Sequence, residues 1–325
     1  MPVNAVRCRQ MILIGLILLE AALIWMLLGR EKPMTEVDWL TAYTIETDAF
    51  RAMDFGKNGL GQAHLMSSQW ETEVYSILAA GLVRDAVVEK NSNEQTVDGF
   101  SLDFSYKECR QLIQHLQREK PIEWTKLVNG FRTILADIQY FPVAADAKSG
   151  LSGIAYENGW GDPRTYGGDR LHEGTDIMDI SNSRGSHPIV SMTEGVVEHI
   201  GWLEQGGYRI GIRSPHGAYV YYAHLDSYAE PFAVGQEVRA GQIIGFMGDT
   251  GYSTVEGTVG NFPVHLHLGI YLETDHYNEL SVNPYYILKY LENRTVSYAK
   301  ETHIWYNIAG YYICTDRNMV EVHLV

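Results

Sequence analysis

The sequence predicts an α+β chain with a membrane-spanning N-terminal helix, a small all-α region and then a mainly antiparallel β domain. Three observations carry this. Residues 11–29 form an almost unbroken apolar run, MILIGLILLEAALIWMLLG. From residue 35 to residue 142 apolar side chains recur at helical spacing. Beyond residue 155 glycine becomes frequent and the apolar runs turn short and β-rich, as in antiparallel strands joined by turns.

The apolar run is close to the length that crosses a bilayer, and Glu20 is its only charged residue. It is long for the apolar core of a signal peptide, and no small-x-small cleavage site follows it. It therefore reads as an uncleaved signal anchor. Arg7 and Arg9 before the run balance Arg30 and Lys32 after it, so flanking charge does not orient it. The free amino terminus favours a cytoplasmic tail of residues 1–10 and export of the rest. Cys8 precedes the run, where a lipoprotein cysteine would follow it.

In the helical region, 35–142, Ser68-x-x-Glu71 and Ser105-x-x-Glu108 have the form of capping boxes. Each leads a stripe: Trp70, Val74, Ile77 and Leu78 after the first, Cys109, Leu112, Ile113 and Leu116 after the second. Pro121 suits the first position of a further helix, with Leu127, Phe131, Ile134, Leu135 and Ile138 on one face and Pro142 ending it. Such stripes make a helical core, and the region reads as a spacer, a partner-binding module for an envelope protein, or a regulatory lid. Residues 144–157, small and polar, read as a linker.

With 325 residues, 46% hydrophobic and 20% charged, the chain can bury a sizeable core and has the length of two domains. A formal charge of −15 argues against non-specific nucleic-acid binding. Three cysteines, none in a CxxC pair, offer neither a disulfide framework nor a thiolate metal site. In the β domain, 155–295, strands are expected over 195–200, 208–212 and 218–222. Asn283-Pro284 opens a short helix that runs to about residue 292. An extension, 296–325, holds strand-like segments at 302–308 and 319–325.

The chemistry-bearing residues lie in the β domain. His265 and His267 stand two apart in an apolar run that reads as a strand, so both leave the same face, about 6.5–7 Å apart at the backbone. Upstream, His172-Glu173-Gly174-Thr175-Asp176 is the chain's single His-x-x-x-Asp. Imidazoles with one carboxylate are the ligand type of a catalytic zinc site, which keeps a fourth position open. His172-Glu173 does not begin a helical His-Glu-x-x-His motif, because Asp176 replaces the second histidine. Gly174, Thr175 and Ile177 also disfavour a helix, so the stretch reads as a loop entering a strand. Spacing leaves open which of His265 and His267 binds metal.

These residues belong to an ordered series: His172-x-Gly174-x-Asp176-Ile177, Pro188-Ile189-Val190, Gly195-Val196-Val197 and Tyr221-Tyr222-Ala223-His224-Leu225 come first. Val234-Gly235-Gln236-Glu237-Val238, Gly241-Gln242-Ile243-Ile244-Gly245, Gly248-Asp249-Thr250-Gly251 and His265-Leu266-His267 complete it. Over residues 161–271 the series resembles the lysostaphin/LytM-type zinc endopeptidases, which cut stems or cross-bridges of bacterial peptidoglycan. The resemblance implies a β domain of that type, Zn2+ held by His172, Asp176 and His267, and catalytic His265 and His224. It implies peptidoglycan peptides as substrate; with the anchor expected at 11–29, a single-pass membrane protein would meet them outside the cytoplasm. The alternative is a catalytically silent scaffold or binding protein of the same fold in the cell envelope. A biotinyl or lipoyl carrier is excluded, since no lysine lies between Lys148 and Lys289.

Three features depart from the family pattern. Val264 separates Pro263 from His265, and Leu268-Gly269 stands where an aromatic and an acidic residue usually follow the histidines. The connection from Gly251 to His265 is longer than usual, and Tyr166-Gly167-Gly168-Asp169-Arg170 precedes the first ligand. The last two border the expected cleft and bear on substrate preference. One of Tyr221 and Tyr222 should face that cleft and the other the core, by strand alternation.

Overall fold

The computed structural model describes residues 33–42, 45–92, 99–166 and 168–299, and the backbone of 304–307, 310–315 and 318–322. The expected anchor at 11–29 and tail at 1–10 lie outside the described residues. Among the described residues no helix is long and apolar enough to cross a membrane.

Among the described residues six helices come first: α1 (Glu36–Ala42), α2 (Asp48–Arg51), α3 (Gly56–Trp70), α4 (Val74–Ser92), α5 (Tyr106–Glu119) and α6 (Pro121–Leu135). Ser105 caps α5 as expected: its hydroxyl accepts from the Glu108 N–H, and the Glu108 carboxylate accepts from the Ser105 N–H at 2.7 Å. Pro121 occupies the first turn of α6. Ser68 and Glu71 form no capping box. They fall at the end of α3, where no free amide group is left to cap. Glu71 is left-handed at φ 49° and its N–H closes the helix onto the Ser67 carbonyl. Trp70 therefore belongs to α3, and Val74, Ile77 and Leu78 to α4. Helix α6 stops at Leu135, short of Pro142, because Asp137 turns out to accept a 2.7 Å bond from the His216 N–H across the molecule.

The strands follow. They are β1 (Ala145–Asp146), β2 (Ile154–Tyr156), β3 (Pro163–Arg164), β4 (Arg170–Leu171), β5 (Thr175–Asp179), β6 (Pro188–Val190) and β7 (Gly195–Leu203). Next come β8 (Gly207–Arg213), β9 (Tyr219–Tyr228), β10 (Glu237–Val238), β11 (Ile243–Met247), β12 (His265–Leu272) and β13 (Leu280–Val282). The main sheet is antiparallel, in the order β10-β7-β8-β9-β12-β5-β2, with β13 on β12 and β11 joining β9 to β6. After helix α7 (Tyr285–Leu291), β14 (Ser297–Ala299) runs parallel to β1. It starts a second sheet completed by β15 (Ile304–Asn307), β16 (Gly310–Thr315) and β17 (Asn318–Val322). The expected linker at 144–157 thus holds β1 and β2. They are edge strands of two and three residues, too short to carry a periodic signal.

Alternation places the core. Leu266, Leu268 and Ile270 of β12, Val220 and Tyr222 of β9, and Ile210 and Ile212 of β8 are fully buried. The opposite faces of these strands carry His265, His267, Tyr221 and Arg209 into one groove. The apolar core continues without a break from the helices into the sheet. Arg51 of α2 reinforces the junction, donating through Nε to the Ser281 carbonyl at 3.0 Å and through Nη2 to the Ser281 hydroxyl at 3.1 Å.

Phe131 sits in this continuous core, 1% exposed, with Phe50 and Phe55 around it. Phe131→Ala is expected to cost about 3–5 kcal/mol of stability in urea unfolding. Far-UV and near-UV circular dichroism should follow the same shifted transition; a sheet that unfolds at its unaltered midpoint would contradict a shared core.

Candidate metal centre and its groove

Strands β5 and β12 pair with His267 directly opposite Asp176. His172 lies on the loop entering β5. Its Nε2 is 3.0 Å from Asp176 Oδ1 and 3.0 Å from His267 Nδ1, while His267 Nδ1 and Asp176 Oδ1 are also 3.0 Å apart. Three donor atoms at the corners of one small triangle match a tetrahedral ion, whose ligands at about 2.0–2.1 Å stand roughly 3.3 Å from one another. Gly174 makes the approach possible, since a Cβ there would lie 2.4 Å from the Leu268 carbonyl and 2.8 Å from the His267 ring.

Backbone carbonyls set the tautomers. His172 Nδ1 is 2.8 Å from the Gly159 carbonyl, which can only accept, so Nδ1 carries the hydrogen and the neutral ring presents a lone pair at Nε2. That lone pair faces a carboxylate oxygen. Two acceptors at 3.0 Å repel unless a cation lies between them, and among the described residues these three form the group able to hold a metal ion. The donor set fits one.

His265 and His224 follow the same rule. His265 Nδ1 donates to the Pro263 carbonyl at 2.7 Å, leaving its Nε2 3.8 Å from Asp176 Oδ1. His224 Nδ1 donates to the Thr250 carbonyl at 2.8 Å, and its ring centre is 4.7 Å from that of His265. His224 adopts φ 62°, unusual for a non-glycine residue, and β9 is irregular against both β8 and β11 around it. Thr250 is itself fixed, its hydroxyl accepting from the Tyr208 N–H and donating to the Leu225 carbonyl.

Burial lowers the pKa of His265 and His267, and of His224 most strongly, where the neighbouring imidazoles add to it. These rings are neutral at physiological pH. Burial alone would raise the Asp176 pKa, but its contacts with His172 and His267 outweigh that and hold it far below the usual carboxylate range. Arg164 of β3 donates to Asp176 Oδ2 at 2.7 Å, which occupies the second oxygen and leaves Oδ1 for the cluster.

All five residues singled out from the sequence (His172, Asp176, His224, His265 and His267) therefore line one groove of about 420 Å³. Tyr221 faces it, and Tyr222 points into the core with its hydroxyl accepting from the Met192 N–H at 2.8 Å. Arg164 was not foreseen: a lone arginine ahead of the first histidine carries no periodic or motif signal. Tyr166 and Tyr252 stack at 4.1 Å, tying the β3–β4 hairpin to the loop after β11. Among the described residues, none lining the groove belongs to helices α1–α6.

The family model for peptidase family M23 matches residues 170–284. An L-Ala–D-Glu endopeptidase of Bacillus subtilis is 45% identical over 131 residues, 40% of this chain and 38% of the relative. Lysostaphin of Staphylococcus simulans is 38% identical over 87 residues, 26% of this chain and 16% of the relative. The chain thus spans well under half the length of these curated relatives. A crystal structure from Ruminococcus gnavus, assigned as a glycyl-glycine endopeptidase LytM, superimposes with a TM-score of 0.61 at 36% identity. That match covers 82% of this chain and 99% of the other.

Gly174→Ala is expected to push His267 away from Asp176 and so to lower bound metal after dialysis by tenfold or more, about the loss typical of a disturbed ligand shell. Metal content at the wild-type level would show that the two strands do not need this close approach.

Proposed function

We propose that this chain, which belongs to peptidase family M23 of the lysostaphin/LytM type, is a membrane-anchored zinc metalloendopeptidase acting on peptide bonds of peptidoglycan stems or cross-bridges. The observation that carries the reading is the triangle of His172 Nε2, Asp176 Oδ1 and His267 Nδ1, with 3.0 Å sides, beside two further imidazoles of fixed tautomer.

His172, Asp176 and His267 would hold the ion as a neutral–neutral–anionic set, leaving a net positive centre. When bound, zinc supplies Lewis acidity that makes water a nucleophile near neutral pH and polarises the scissile carbonyl. The protein's own groups do the proton work. His265 and His224 both present Nε2 as an acceptor, because each commits Nδ1–H to a backbone carbonyl. Neither can donate through Nε2 while neutral. The ring that takes the attacking water's proton thereby becomes the donor, first to the developing oxyanion and then to the leaving amine. Arg164 keeps Asp176 in a one-oxygen pose throughout.

The tyrosines of the groove, Tyr219, Tyr221 and Tyr271, offer an apolar floor for an extended peptide. The apolar run at 11–29 supports anchoring with the β domain outside the cytoplasm. A net charge of −15 gives no attraction to an anionic wall, so the tether or an envelope partner of the helical region supplies localisation.

Purified protein is expected to release peptides from peptidoglycan, to lose that activity in chelator and to regain it with zinc; activity that persists without bound metal would end the reading. His265→Ala is expected to keep its metal and lose about 10²–10⁴-fold in hydrolysis. Unchanged hydrolysis in that variant would remove His265 from the chemistry. Absence of hydrolysis in the wild type, with wall binding retained, would instead favour a silent scaffold.

A further inference from the structure

Among the charges of the groove that this chemistry leaves unused is that of Arg209. Arg209 lies on β8 between Tyr208 and Ile210, whose partners on β9 are Leu225 and Tyr222, so it is level with Ala223 across an irregular step. Ala223 in turn faces His267 on β12, and His267 faces Asp176 on β5. Arg209, Ala223, His267 and Asp176 thus form one row across four strands, all on the groove face. Two strand spacings, about 9.6 Å at the backbone, separate Arg209 from the metal-ligand histidine.

The Nη1 atom of Arg209 is buried and has no hydrogen-bond partner among the described residues. Its aromatic neighbours supply no counter-charge: burial pushes the Tyr221 hydroxyl up to about 12 and that of Tyr219 higher still, so both stay neutral. The other arginines of the groove are engaged, Arg164 with Asp176 and Arg170 with the Tyr166 carbonyl. Glu173 and Glu279 also line the groove, yet neither hydrogen-bonds this atom. A buried guanidinium N–H without a partner is unfavourable in the free protein and becomes favourable when a ligand brings the missing acceptor.

We propose that Arg209 is the specificity residue of a carboxylate-binding subsite, which takes a free carboxylate of the substrate close to the scissile bond. Allowing for the arginine's own length, the span fits a carboxylate one or two residues from that bond, at about 3.3–3.6 Å per extended residue. The groove therefore favours a peptide with an acidic residue beside the scissile bond over a glycine-only bridge. This rests on the endopeptidase reading above and names its substrate class.

The test compares two synthetic peptides that differ only by D-Glu or D-Gln after the cleaved alanine. The full-length wild type is expected to prefer the glutamate peptide by about tenfold or more in kcat/KM, chiefly through KM. Arg209→Gln should bring that ratio to within about twofold with metal content unchanged, and Arg209→Lys should retain part of it. Equal use of both peptides by the wild type, or a preference that persists in Arg209→Gln, overturns the subsite. Calorimetric binding of both peptides to the wild type separates the two readings. Preferential binding of the glutamate peptide with no hydrolysis of any substrate leaves the subsite standing and the endopeptidase reading fallen. Zinc-dependent hydrolysis without preference does the reverse.

Discussion

The register that sets His267 opposite Asp176 is the constraint on which the site depends. Side chains alternate along a strand, so a slip of one residue would send both histidines of β12 into the core and its leucines into the groove. Burial forbids that slip, because Leu266, Leu268 and Ile270 on β12 and Ile177 on β5 are wholly enclosed. The same apolar contacts that hold the sheet together therefore aim the atoms of the cluster that could hold a metal ion. The strands deliver the side chains, and three loop carbonyls, those of Gly159, Thr250 and Pro263, then choose which ring nitrogen carries the hydrogen.

Much of this was legible in the sequence, for an identifiable reason. Strand alternation around His265 and His267 is a local signal, as is the glycine-punctuated texture of β7, β8 and β9. The meeting of the 172–176 stretch with His267 is not local; it needs the sheet topology, and only the resemblance of the ordered blocks carried it. Arg209 escaped because an arginine beside a strand irregularity looks like any solvated charge. The helical region shows the limit of motif reading. Ser105 and Glu108 cap a helix because the chain before them is extended, whereas Ser68 and Glu71 meet the same pattern at a helix end. Gly56, Gly59 and Gly61 weaken the helical signal of α3, and with it the evidence that a helix was already under way.

The departures from the family pattern acquire a physical content. Gly269 stands where an acidic residue is usual, and a Cβ there would lie 2.5 Å from the Tyr271 ring. The glycine lets that tyrosine lie across the strand as part of the groove floor, its hydroxyl reaching the Glu173 carbonyl at 3.3 Å beside the first histidine. Val264 is buried, and its N–H donates to the Asn182 side chain at 2.7 Å, anchoring the chain just before His265 and His267. The long connection after Gly251 brings Phe262 against His224 and His265, with ring centres 4.6 and 5.1 Å away. An aromatic wall there lowers local polarity and sharpens every charge in the site.

The helices bear on this site from a distance. A lid must cover what it controls, and none of the described residues of α1–α6 lines the groove. Their contribution runs through the shared core and the Arg51–Ser281 contacts to β13, the strand that pairs with the far end of β12. That places the helical region as a support for the strand carrying His265 and His267. The β3–β4 hairpin borders the groove instead through Arg164 and Arg170, with Tyr166 stacked on Tyr252 and Arg164 holding Asp176. One short hairpin thus links the edge of the groove to the pose of the Asp176 carboxylate.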